Sequence, residues 1–150
     1  MYKPLFEVLK KHPDCYFQLF TNGTLLTPEV AEELRKMANV TPLISFEGDE
    51  EVADVRRRGK DVFRRTTEAV ENATNAGLIT GVAMSVCKSN LDLALSPEFI
   101  QSLIDKGVAY LWYYIYRPAG EDPSLDLALN KEEIQTLRQF MVDARSEYDI

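Results

Sequence analysis

What most limits the folds open to this chain is a regular alternation of short apolar runs with segments of helical spacing, each carrying its own start and stop signals. Residues 16–20 form one such run, aromatic and brief, halted by Thr21-Asn22-Gly23, a turn sequence. Thr27-Pro28-Glu29 then opens a helix: a hydroxyl to cap it, a proline suited to its first position, and a carboxylate at the positive end of its dipole. Val30, Leu34 and Met37 make its apolar stripe. A second run at 42–46 precedes a helix from about Asp61 that Gly77 stops. A third, 79–86, precedes a helix opened by Ser96-Pro97-Glu98 and closed by Gly107. A fourth, 108–116, precedes a helix opened by Asn130, with Glu133 three residues on completing a capping box.

Runs that are apolar on both faces and separated by helices belong to parallel sheets sheathed by helices. The expected class is α/β, a partial parallel β/α barrel of the TIM type, unclosed, with about four strands alternating with helices. An open doubly wound sheet fits the same order. The chain begins directly on a helix, residues 4–11, that would normally follow a strand, and it stops soon after another. Residues 1–150 are therefore expected to be inner units of a longer alternation, cut at both ends.

Composition narrows the function classes. With 17 basic against 24 acidic residues, the chain lacks the cationic surplus that phosphate backbones require, so nucleic acid is not the expected partner. No apolar run approaches the roughly 18–20 residues of a membrane span, and the N-terminus has no signal-peptide core. The expected location is cytoplasmic. Cys15 and Cys87 make neither a disulfide framework nor a metal finger and read as small core fillers.

In parallel α/β folds ligands gather at the carboxyl ends of strands. Those ends read Thr21-Asn22-Gly23, Ser45-Phe46-Glu47-Gly48, Cys87-Lys88-Ser89-Asn90 and Tyr116-Arg117-Pro118-Ala119-Gly120. Hydroxyls, amides, one carboxylate and one guanidinium suit a polar, hydroxyl-rich ligand bearing a carboxylate. The single histidine, His12, lies on the first helix, away from this edge, and there is no P-loop or GxGxxG. Each piece also has an ordinary reading. Asn-Gly after a strand makes a turn, and Ser45 and Glu47, which share one strand face, can cap or be solvated. Residues 49–60, four acids and then four bases, read as a solvated loop or helix face. Tyr110, Trp112, Tyr113, Tyr114 and Tyr116 are expected to pack the two faces of the sheet.

Taken in order, FTNGTLLT, ISFEG, DVRRRGKDVF, the Gly77-Leu78 hinge, Asn90 and YRPAG resemble the radical SAM superfamily, most closely its maturase and cofactor-synthesis branch with a C-terminal cluster domain. The resemblance runs from about Tyr16 to Arg145. It implies a partial β/α barrel, a [4Fe-4S] cluster and S-adenosylmethionine, whose reductive cleavage yields a 5′-deoxyadenosyl radical for hydrogen abstraction. It also implies positions: Thr21 and Asn22 on the rim near the cofactor, Ser45 on its ribose or methionine part with Glu47 beside it, and Asn90 at ribose hydroxyls. Arg58, or its neighbours Arg56 and Arg57, would pair the methionine carboxylate. Tyr116 and Arg117 would lie against adenine.

The sequence departs from that family at the cluster. Three cysteines spaced Cys-x3-Cys-x2-Cys leave one iron open, and this chain has two cysteines, 72 positions apart. The expectation is a portion of a radical SAM enzyme, inactive alone, whose partners are an N-terminal cluster-binding segment and a C-terminal domain of the same protein. The alternative is a standalone α/β module that binds a nucleotide-like ligand or a partner protein and covers its open edge by self-association. A third reading, Glu47 as general base of an unrelated β/α enzyme, has no second catalytic group behind it.

Overall fold

A computed structural model describes residues 3–57, 59–148 and 150. Helix α1 (Lys3–Lys11) leads into β1 (Phe17–Thr21), α2 (Pro28–Met37), β2 (Val40–Phe46), α3 (Glu50–Arg57) and α4 (Val62–Asn75). Then come β3 (Gly81–Val86), the one-turn α5 (Leu91–Ala94), α6 (Pro97–Asp105), β4 (Tyr110–Ile115), a 3-10 turn at Leu125–Leu127 and α7 (Lys131–Glu147). The four strands are parallel and lie in sequence order, β1-β2-β3-β4. The expected α/β architecture, four strands alternating with helices in an unclosed sheet, is the one observed.

The helix signals act as read. Thr27 Oγ1 accepts from the Val30 N–H at 3.3 Å, Ser96 Oγ from the Phe99 N–H at 3.1 Å, and Asn130 and Glu133 form a reciprocal capping box. Residues 49–60 take the helical one of the two ordinary readings, with one side turned from solvent, since Ala53 is buried. They contain α3, capped at its start by Asp49 Oδ1, which accepts from the Val52 N–H, while Asp54 accepts from the backbone N–H groups of Asp61 and Val62 and so caps α4. Gly48, at φ +151°, lets α3 turn back tightly; a Cβ there would stand 2.9 Å from the Val52 side chain.

Strand alternation splits the sheet into two faces. On the convex face Val40, Ile44, Phe46, Val82, Met84 and Val86 pack against Ala31 and Leu34 of α2, Ala69, Val70 and Ala73 of α4, Phe99 and Leu103 of α6 and Leu137 of α7. The opposite, concave face carries Thr41, Leu43 and Ser45 on β2, Gly81, Ala83 and Ser85 on β3, and Tyr110, Trp112 and Tyr114 on β4. Tyr113 alone of the β4 aromatics faces the helices, where its hydroxyl donates to the Ala94 carbonyl at 2.7 Å. The aromatics therefore do pack both faces. Cys87 is buried, but Cys15 is exposed, because it lies in the turn before β1, outside the packed layers.

Candidate functional site

The polar residues that converge most tightly sit where β2 and β3 end. Glu47, just past β2, receives Arg56 Nη2 at 3.2 Å, with the two side chains 10% and 15% exposed. Arg56 reaches this edge from α3: the helical period sets it beside Val52 and the buried Ala53, on the side turned to the sheet. Its Nη1 also donates to the Ser85 carbonyl at 2.8 Å and to Cys87 Sγ at 3.3 Å, and Cys87 Sγ lies 3.1 Å from Ser89 Oγ.

Asn90 ties the two strand ends together. Its Nδ2 donates to the Glu47 carbonyl at 2.8 Å and to the Ser85 carbonyl at 3.1 Å, and its Oδ1 accepts from the Cys87 N–H at 2.8 Å. At 3% exposure, the amide has both hydrogens and its oxygen engaged with main chain. Ser45 stands half-buried on the concave face, in register with Ala83 and through it with Trp112.

The remaining expected residues fall away from this knot. Thr21 Oγ1 accepts from the Gly23 N–H, and Asn22 Oδ1 accepts from the N–H and hydroxyl of Thr24, so both hold their own turn. Tyr116 is half-buried beside the end of β3, where its N–H donates to the Val86 carbonyl, and Arg117 is exposed. Arg58 lies outside the described residues. Sequence reasoning named Arg56 only as one of three adjacent arginines and missed the engaged thiol of Cys87. The signal for Arg56 was present: a Gly48 start places Val52, Ala53 and Arg56 on one helical side.

The donor set fits the polar parts of S-adenosylmethionine, with a guanidinium for a carboxylate and a hydroxyl for ribose. It does not fit an iron–sulfur cluster. Cys15 precedes β1 and Cys87 follows β3, so in parallel strands the two thiols lie at opposite edges of the sheet. Among the described residues no group of three or more His, Cys, Asp and Glu side chains is arranged to hold a metal ion. None of the described helices is long and apolar enough to cross a membrane.

A sequence profile of the radical SAM superfamily matches residues 1–93. The mycofactocin maturase MftC of Mycolicibacterium smegmatis is 36% identical over 124 residues, covering 81% of this chain and 31% of that protein. Among solved structures, SuiB of Streptococcus suis superposes with a TM-score of 0.79 at 13% identity, over 95% of this chain and 33% of its own. The enzyme anSMEcpe, solved with bound AdoMet and a peptide, gives 0.68 at 19% identity, over 85% of this chain and 36% of its own. These structural likenesses speak to the fold. The chain spans about a third of the length of each.

Proposed function

The chain belongs to the radical SAM superfamily, and from that premise we propose that residues 1–150 form the middle and later β/α units of a longer, cytoplasmic maturase that generates a 5′-deoxyadenosyl radical to abstract hydrogen from a peptide. The observation that carries this reading is the Ser45–Glu47–Arg56 edge at the carboxyl ends of β2 and β3. The family implies S-adenosylmethionine and a [4Fe-4S] cluster. The cluster would be held by an N-terminal segment of the same protein, and a C-terminal domain would follow the barrel. Peptides appear with two of the similar structures, SuiB with its precursor peptide and anSMEcpe with its peptide, which supports a peptide as the substrate class here.

When bound, the cofactor supplies a radical that needs a dry, packed chamber. This chain's residues would bind and orient it. Arg56, held in place by Glu47, the Ser85 carbonyl and Cys87 Sγ, has guanidinium hydrogens beyond those three bonds to offer a carboxylate, with Arg58 two residues on. Ser45 would meet a ribose hydroxyl. Asn90 would act at one remove, fixing the strand ends, while Thr21 and Asn22 shape the rim and Tyr116 and Arg117 flank the adenine.

The test is to express anaerobically the complete protein that carries this segment, reconstitute it with iron and sulfide, reduce it, and measure 5′-deoxyadenosine. Formation of this product that falls at least about tenfold in Arg56→Ala, with unchanged cluster absorbance, supports the reading. No product from a protein with an intact cluster would sink it.

A further inference from the structure

Tyr110 spans the sheet from one edge to the other. Rooted on β4, its ring lies so close over Gly81 of β3 that a Cβ there would run into the ring carbons. Its hydroxyl accepts from Gln18 Nε2 of β1 at 3.2 Å and lies 3.3 Å from Thr41 Oγ1 of β2. Thr41 gives its own proton to the Ile79 carbonyl, which leaves the phenol to donate to Thr41. One row nearer the cofactor edge, Trp112 of β4 meets Phe20 of β1 edge-on at 6.1 Å, with Tyr110 at 6.2 Å and Tyr114 at 6.1 Å on its two sides.

Rings rooted on opposite edge strands touch only because the sheet curves strongly and β3 offers them Gly81, Ala83 and Ser85, residues with little or no side chain. Leu43 and Ala83 are buried beneath them. Above the Tyr110 layer the concave face is open, with Phe20 55%, Trp112 40% and Tyr114 45% exposed. From Gln18 to Ser85 its rows hold only aromatic, aliphatic, hydroxyl and amide groups, and the charges, Glu47 and Arg56, stand at the rim.

We propose that the Tyr110 layer is the floor of the substrate chamber and that Phe20, Trp112 and Tyr114 form the deepest wall a substrate touches, selecting an uncharged apolar group that enters from the cofactor edge. This deepens the enzyme reading and rests on it. An ion pushed into those rows would lose its hydration and find no counter-charge on these four strands, whereas an apolar group replaces water on exposed rings. Depth follows from Gly81, since the Tyr110 ring fills the space that any residue with a side chain there would occupy.

Trp112 is the only tryptophan of residues 1–150, so the emission lost in Trp112→Phe reports from this wall. The experiment titrates the complete protein that carries this segment, free of iron and S-adenosylmethionine, with p-cresol, 4-methylbenzoate and 4-methylbenzylammonium while following the fluorescence that Trp112→Phe removes. Saturable quenching by p-cresol, at least about tenfold tighter than by either ion, is expected. In Tyr110→Ala, 4-propylphenol should bind at least about tenfold tighter than to the wild type, while Tyr110→Phe, which keeps the ring, should exclude it as the wild type does. Equal affinity for the three probes, absence of saturable p-cresol quenching, or an unchanged 4-propylphenol response in a folded Tyr110→Ala protein overturns the proposal. If Tyr110→Ala fails to fold by circular dichroism, the wild-type series decides alone. None of these readouts needs the cluster or S-adenosylmethionine. A chamber without selectivity beside normal 5′-deoxyadenosine formation therefore removes the floor and leaves the enzyme reading, and the reverse result removes only the latter.

Discussion

Arg56 and Glu47, from the helix after β2 and the residue just past β2, meet at 3.2 Å with both side chains largely withdrawn from water. A charge pair so placed is expensive to break from one side, because the survivor keeps its desolvation cost and loses the attraction that offset part of it. Arg56→Met should lower stability by about 2–3 kcal/mol, read by urea denaturation at pH 7. Glu47→Gln/Arg56→Met should recover part of that loss, and a strictly additive double mutant would mean the pair is not coupled.

Asn90 offers a sharper comparison. Asn90→Ala removes the amide donor to the Glu47 carbonyl and leaves the buried Cys87 N–H without its acceptor, while the Ser85 carbonyl keeps Arg56. A loss of about 2–4 kcal/mol is expected. Asn90→Asp retains only the acceptor half, so amide exchange at Cys87 should stay protected while stability still falls.

The Tyr113 phenol sits on the helix side of β4, and burial pushes its pKa well above the ordinary tyrosine value. Below about pH 10 both folded and unfolded chains hold this proton, and the group adds no pH dependence. Above it the unfolded chain releases the proton while the folded one keeps it, so stability must fall as pH rises. Thermal denaturation between pH 9 and 11 should show that fall. Tyr113→Phe should flatten it, at the cost of about 1 kcal/mol for the bond to the Ala94 carbonyl.

Gly23 closes the turn after β1 at φ +77°, and a Cβ there would stand 2.7 Å from the Ala69 Cβ of α4. Gly23→Ala combines a left-handed backbone penalty with a contact that one of two packed elements must relieve. The expected loss is about 2–3 kcal/mol, more than Gly120→Ala, where nothing lies within 4 Å of the added carbon. Parallel melts of the two variants decide it.

What was legible in the sequence is what local chemistry determines. Thr27, Ser96 and Asn130 cap helices through bonds to residues three positions on, and the strands announce themselves by alternation and length. Arg56 was legible only as one of three, because its destination depends on how α3 folds back at Gly48. The committed amide of Asn90 and the turn-bound side chains of Thr21 and Asn22 were not legible as such, since a list of polar residues at strand ends does not say which of them the backbone will claim first. The reach of Tyr110 across Gly81 depends on sheet curvature, which no local pattern encodes.

The unbroken strand order has a consequence for how the molecule comes into being. Phe17 lies beside Val40, Leu43 beside Gly81, and Gly81 beside Tyr110, so each strand after β1 joins the one immediately before it in the chain. A ribosome delivers such a protein in the order in which it can be assembled. From β2 onward each new strand emerges to find its template already made, and of these four only β1 waits for a partner still to be translated. At every moment of synthesis growth proceeds at one edge of the sheet, and the helix that follows each strand arrives in time to cover the face just made.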